Sequence, residues 1–191
     1  MTVANPQDAY TVIQQAISCD DPVLYFEPKR RYHDKGEVDE SVDPAKALAM
    51  DKARVLTDGS DVTLVAYGPL VKTALDAASA AADEGISIEI IDLRSLAPVD
   101  YEPVVASVRK TGRLVVTHEA GQSGGLGAEV AASITERCFY HLEAAPVRVT
   151  GFDIPYPYSK LEMHHLPGLD RILDGVDRAL GRPNSLSGLE G

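Results

Sequence analysis

Cysteine is nearly absent: Cys19 and Cys138 are the only two in 191 residues. Two are too few for a disulfide framework and have no metal-ligand spacing, so a reduced bacterial cytoplasm is the expected compartment. Cations are scarce as well. Eighteen Lys and Arg stand against 29 Asp and Glu, a formal net charge of −11. That excludes a nucleic-acid binder, which must replace counterions with clustered Lys and Arg. No apolar run reaches the ~20 residues of a membrane helix, so no membrane is expected as a partner. Met1-Thr2-Val3-Ala4-Asn5 has neither a basic n-region nor an apolar h-region, and no secretory signal is expected.

The most conspicuous motifs each lack a part. Gly121-Gln122-Ser123-Gly124-Gly125 spells G-x-S-x-G. A nucleophile elbow needs its strand to run straight into the first glycine. Here the strand is expected to end near Thr117, with His118-Glu119-Ala120 intervening. His141, His164 and His165 follow the serine, but no acid stands out as their partner. G-x-G-x-x-G fails because Val130 stands where the last glycine belongs, and there is no P-loop lysine. His118-Glu119 has no second histidine at zinc-helix spacing. His164 and His165 are adjacent, so a helix would point them about 100° apart and a strand to opposite faces. A glycine-rich β–α connection is the expected role of 121–127, since glycine lets a chain turn sharply and a helix pack close.

What is present is an α/β pattern with 45% hydrophobic residues, enough for a sizeable core. Asn5-Pro6 reads as N-cap and first helical residue, followed by the apolar face Val12, Ile13, Ala16, Ile17. Asp20-Asp21-Pro22 breaks that helix, and "VLYFE" (23–27) reads as a strand. Residues 28–60 are charged and turn-rich, with a short helical piece expected around 44–54. Strands are then expected at 61–67, 86–92, 113–117 and 147–151. Helices are expected at 69–84, closed by Gly85, at 100–110, closed by Gly112, and at 127–138. A Pro- and Tyr-rich loop precedes a last amphipathic helix with Leu169, Ile172, Leu173, Val176 and Leu180 on one face. Asp170, Asp174 and Asp177 read most simply as its solvated face. Alternating strands and helices imply a mostly parallel sheet with right-handed crossovers. Taken alone, the residues show no catalytic constellation: they describe a soluble acidic α/β domain, a binding or assembly module.

Several stretches together resemble one family. "DDPVLYFEPKRRYHDKGEV" (20–38), "GSDVTLVAYGPLVKTALDAA" (59–78), "EIIDLRSLAPVDYEPVVASVRKTGRLVVTHEAGQSGGLGAEVAASI" (89–134) and "APVRVTGFDIPYPYSKLE" (145–162) are similar to the beta subunit of the thiamine-diphosphate-dependent 2-oxoacid dehydrogenases. Asp92-Leu93-Arg94 with Pro98 and Asp100, then Lys110-Thr111-Gly112 and His118-Glu119, are more specific than any glycine motif. The resemblance runs to about Leu180. It implies an α/β three-layer sandwich of the transketolase C-terminal-domain type, preceded by the last strand and helix of a coenzyme-binding domain. The implied division is 1–28 as the remnant of that domain, 29–60 as linker, 61–181 as the transketolase C-terminal domain and 182–191 as a disordered tail. On this reading Ser123 is not a nucleophile.

The resemblance further implies oxidative decarboxylation of 2-oxoisovalerate-type acids, with pyruvate as the alternative, and acyl transfer to lipoyl groups. A stand-alone assembly or binding module remains an alternative from another class. Transketolase and deoxyxylulose phosphate synthase would need a basic and histidine cluster for a sugar phosphate, and none is visible in 61–181. Thiamine diphosphate and Mg2+ would serve the intact heterotetramer, but no catalytic or coenzyme-binding residue of the family falls within this sequence, which is expected to be inactive alone. One family site reaches into it: a monovalent cation, usually K+, placed at Ala16, Ile17, Cys19 and Asp21, where oxygen ligands suit a hard cation. Cys19 and Asp21 depart from the aspartate and asparagine common there. The implied partners are the alpha subunit, a second beta subunit and the subunit-binding domain of the dihydrolipoyl acyltransferase. For the last, Asp170, Asp174 and Asp177 are the expected contacts, since acidic groups speed encounter with a basic domain.

Overall fold

The computed structural model describes residues 1–182. The tail expected at 182–191 lies, apart from Arg182, outside the described residues. Helix α1 (Pro6–Ser18) starts where expected: the Asn5 side chain accepts the Asp8 backbone N–H at 2.8 Å, with Pro6 at the first helical position. Its end is Cys19, whose backbone is extended.

The next 35 residues differ from expectation. Residues 23–27 form no strand. Phe26 makes a single parallel bridge to Thr2, because its only neighbour is a short N-terminal stretch rather than a ladder. No helix forms at 44–54 either. Lys46 and Ala47 both bond back to the Asp43 carbonyl and Lys52 to Ala49, so isolated turns replace it. One turn fixes several torsions for one bond, and nothing propagates it here. The stretch read as a connection instead contains a strand, β1 (Arg54–Thr57). With four residues, a bulge and no fully buried position, it has no periodic signal to read.

Strands β2 (Val62–Ala66) and β3 (Ile88–Asp92) are buried at every position, which is why apolar residues fall on both faces of each. Helix α2 (Leu70–Asp83) joins them. Helix α3 (Glu102–Thr111) ends on Gly112 in the left-handed region (φ 70), whose N–H bonds to Val108 O. Strand β4 (Leu114–Gly121) follows, then α4 (Leu126–Cys138), β5 (Val147–Gly151), the one-turn α5 (Glu162–His165) and α6 (Leu169–Ala179). The sheet order is β1-β3-β2-β4-β5, with β1 antiparallel to β3 and all other pairs parallel. Register sets Leu64 beside Ile90 on one side and beside Val115 on the other. The expected three-layer, mostly parallel α/β architecture is the one found.

Each face carries its own core. Ala74, Ala77 and Ala81 of α2 meet Ile172, Val176 and Ala179 of α6 over Leu64 and Ile90. Val104 and Val108 of α3 meet Val130 and Ile134 of α4 over Val65 and Val116. Each fully buried Val, Leu or Ile contributes roughly 1.5–3 kcal/mol. The three hydroxyls buried between β2 and α3 satisfy one another: Thr63 Oγ1 lies 2.7 Å from Ser107 Oγ and 2.8 Å from Thr111 Oγ1. Helix α6 approaches β5 so closely that a Cβ on Gly175 would stand 2.4 Å from Val149 Cγ2.

Candidate functional site

In an open parallel sheet the receptive edge lies beyond the carboxyl ends of the strands, where the chain switches direction. Here that point falls between β2 and β4, because the chain leaves β2 for β3 on one side and later returns to β4 on the other. His118, fully buried on β4, fills it. Its ring stacks on Tyr67 at 5.8 Å. The Gly127 N–H donates to Nε2 at 3.0 Å, and Nδ1 lies 3.1 Å from Ala120 O. Those partners require the neutral tautomer with the proton on Nδ1. Burial, the largest influence, holds the imidazole pKa below its usual value. A Cβ on Gly125 or Gly127 would stand 2.6 or 2.4 Å from the ring. The glycines thus make room for the ring, which caps an orphan N–H at the start of α4.

The G-x-S-x-G stretch is settled by geometry. Contrary to the expected end at Thr117, β4 continues to Gly121, with an irregularity after His118. The strand therefore does run into the first glycine. Ser123 is nevertheless paired with a carboxylate and not with a histidine. Its hydroxyl donates to Asp153 Oδ2 at 2.7 Å and its N–H to Oδ1 at 2.9 Å. These bonds hold the Asp153 pKa below its ordinary value, so the carboxylate is a poor base. His118, on the strand that leads into this stretch, has both ring nitrogens engaged elsewhere.

The N-terminal segment lies over the same edge. Arg30 Nη1 pairs with Glu119 Oε1 at 2.7 Å, and Arg31 Nη2 donates to Pro69 O at 2.5 Å. Burial raises the Glu119 pKa, while Arg30 and Arg31 oppose the shift. Beneath α1 lies a charge cluster that the sequence did not disclose. Asp8, fully buried, accepts Arg54 Nη1 at 3.0 Å and Asn5 Nδ2 at 2.8 Å on Oδ2, while its Oδ1 lies 2.9 Å from Arg54 Nη2 and 3.2 Å from Arg94 Nη2. Arg94 Nη1 also donates to the carbonyls of Ala49 and Lys52, each at 2.9 Å. Arg94 holds φ 55, a left-handed backbone uncommon for a side chain of this size. Asp92 Oδ1 accepts the Arg94 N–H at 3.0 Å, yet burial dominates and pushes its carboxyl up to about 7. Asp92-Leu93-Arg94 was visible as a motif, but its partners Asp8 and Arg54 carry no pattern that marks them.

Ala16, Ile17, Cys19 and Asp21 sit together at the end of α1, with Ile17 exposed and the Asp21 N–H 3.4 Å from Cys19 Sγ. Asp170, Asp174 and Asp177 sit on α6. Asp170 is exposed, while Asp174 lies 4.0 Å from Arg178 and Asp177 3.8 Å from Arg182. His164 and His165 diverge on α5: His164 faces solvent and His165 is buried, set edge-on to Phe152 and Tyr156. Among the described residues no three His, Cys, Asp or Glu side chains converge as metal ligands. The donor set here therefore does not fit a divalent ion that would anchor a diphosphate.

The loop after β5 presents an apolar ridge that the sequence showed only as Pro- and Tyr-rich. Ile154, Tyr156, Leu161, Tyr158 (89% exposed) and Met163 (72%) face solvent. Its base is fixed: the Arg171 guanidinium lies 4.3 Å over the Phe152 ring and donates to the carbonyls of Thr150 and His165. Exposed apolar ridges on rigid bases mark surfaces made for partners.

These features define a doubly wound α/β domain whose receptive edge is filled by its own His118 and covered by its own N-terminal segment. Residues 51–172 match the family model described as the transketolase C-terminal domain, and the chain belongs to that family. It is 53% identical over 177 residues to the pyruvate dehydrogenase E1 component subunit beta of Leifsonia xyli, covering 93% of this chain and 52% of that protein. It is 51% identical over 182 residues to the 3-methyl-2-oxobutanoate dehydrogenase subunit beta of Mycobacterium tuberculosis, covering 94% and 51%. The chain spans about half the length of the curated relatives it matches. A solved structure described as a split-gene transketolase, an inactive beta4 tetramer, aligns with a TM-score of 0.75 and 29% identity, over 94% of this chain and 57% of that one.

Proposed function

We propose that this chain is the C-terminal portion of the beta subunit of a thiamine-diphosphate-dependent 2-oxoacid dehydrogenase, serving subunit assembly rather than chemistry. The observation that carries the reading is the match of nearly the whole chain to half of each dehydrogenase beta subunit. The filled sheet edge and the exposed ridge at 152–163 support the assembly role. Residues 1–28 then belong to the coenzyme-binding domain, 29–60 connect, and 61–181 form the assembly domain. The intact enzyme would use thiamine diphosphate and Mg2+ held by residues outside this sequence. A monovalent cation at Ala16, Ile17, Cys19 and Asp21 would use backbone oxygens. The partners are an alpha subunit, a second beta subunit and the subunit-binding domain of the acyltransferase, the last reached through Asp170, Asp174 and Asp177. The expected compartment is the cytoplasm.

Branched-chain 2-oxoacids are the proposed substrates, ahead of pyruvate. Relatives of both kinds carry similar identity, so the decision belongs to kinetics. The test is the full reading frame containing this chain, co-expressed with its alpha partner and supplied with thiamine diphosphate, Mg2+ and an artificial electron acceptor. Turnover of 2-oxoisovalerate or pyruvate is expected, and the ratio of kcat/KM values assigns the substrate. An assembled complex that turns over neither would overturn the dehydrogenase reading.

A further inference from the structure

A cleft of about 770 Å³ opens between the N-terminal residues, the segment 25–35 and the start of α2. Its volume falls within the roughly 300–1,000 Å³ typical of small-molecule sites. The floor is apolar and rigid: Val3 and Val71 are buried, and Leu56 packs against the core. Leu75 extends that wall toward the mouth.

The rim is cationic, against the sign of the molecule as a whole. Arg31, Lys35 and Lys72 line it beside His33. The two lining carboxylates are already engaged. Glu27 accepts the Tyr32 hydroxyl at 2.5 Å, and Asp34 pairs with Arg31 at 3.3 Å. Lys35 has no ion pair among the described residues. Lys72 meets only Asp76, at 3.7 Å on an exposed helix face, a pair of a few tenths of a kcal/mol. Arg31 Nε is buried without a hydrogen-bond partner. Arg31 and Lys72 each have a carboxylate beside them, and Lys35 has none among the described residues, so its charge is the one that a monoanion would match.

We infer that this cleft binds a small organic carboxylate with a hydrocarbon body, the carboxylate at Arg31, Lys35 and Lys72 and the body on Val3, Leu56, Val71 and Leu75. The site adjoins the sheet edge at Arg31, is separate from the ridge, and does not depend on the dehydrogenase reading. The test is an NMR titration of the isotope-labelled 191-residue chain with octanoate, with octanol and inorganic phosphate as parallel arms. Octanoate is expected to give saturable shifts at the amides of Ala4, Leu56 and Val71. The Lys35→Glu/Lys72→Glu variant should weaken octanoate about tenfold. Both lysines are exposed, so its sheet resonances should stay unchanged. If they move, Lys35→Gln/Lys72→Gln is read by the same criterion with a smaller loss. Four results would overturn the inference: no saturation, shifts confined to 152–163, equal affinity for octanol or for phosphate, or an affinity indifferent to the lysines.

Discussion

Replacing Arg94 with methionine removes the centre of the buried cluster while keeping most of the side chain's volume. The wild-type guanidinium faces Asp8 and satisfies the Ala49 and Lys52 carbonyls. After the change, both carbonyls lose a charged donor. Asp8 keeps the Asn5 amide at 2.8 Å and Arg54, which is partly exposed and therefore hydrated and screened. Breaking a buried ion pair by removing one partner typically costs ~3–5 kcal/mol, and the surviving Arg54 contact puts this case near the bottom, about 3 kcal/mol. For a chain of this size each kcal/mol lowers Tm by ~2–4 °C, so the expected fall is about 6–12 °C. Urea unfolding should show the same loss as a lower midpoint at unchanged slope. The backbone supplies an internal control. Since Arg94 sits at φ 55, Arg94→Gly should be about 1 kcal/mol more stable than Arg94→Ala, although glycine removes more side chain. A loss below about 1 kcal/mol for Arg94→Met would refute the idea that this cluster clamps α1 to the sheet. An alanine variant as stable as the glycine one would refute the strain component.

Asp92 titrates with a carboxyl raised from 3.8 to about 7, chiefly by burial. Its contribution is fully present below pH ~4 and is lost as pH rises through ~7. Asp92→Asn keeps the acceptor for the Arg94 N–H, so it should raise Tm at pH 8 and flatten that part of the pH profile; an unchanged profile would contradict the assignment. His118 has the opposite sign. Its depressed pKa means that its stabilisation is present above pH ~6.5 and is lost as pH falls through the folded-state value. Protonation removes the acceptor for Gly127, so hydrogen exchange of that amide, corrected for the intrinsic rate, should lose protection as the ring protonates at a pH below its usual ~6.5; retained protection would remove His118 as the cap. Ser123→Ala in the assembled enzyme should leave kcat within about twofold and cost no more than about 1 kcal/mol of stability, since an exposed hydroxyl–carboxylate bond is all it loses. A loss of kcat by ~100-fold or more would restore the nucleophile reading.

The sequence by itself determined the sheet and its helices, because each is periodic over its own residues. Val62–Ala66 and Ile88–Asp92 carry apolar residues on both faces, each face being covered. Asn5, Gly85 and Gly112 mark helix ends through local chemistry that needs no distant partner. Tertiary structure decided whatever depends on residues far apart in the chain. Arg54–Thr57 is a strand only because β3 offers it an edge, whereas 23–27 has strand-forming residues and no edge to join. Asp8 reads as an ordinary acid in the first turn of a helix until Arg54 and Arg94 arrive from 46 and 86 residues away. The glycines of 121–127 suggest an active site to a pattern search, but Gly125 and Gly127 answer to the imidazole of His118. Local patterns fix local backbone; the pairing of buried charges and the filling of a sheet edge are set only when the chain closes on itself.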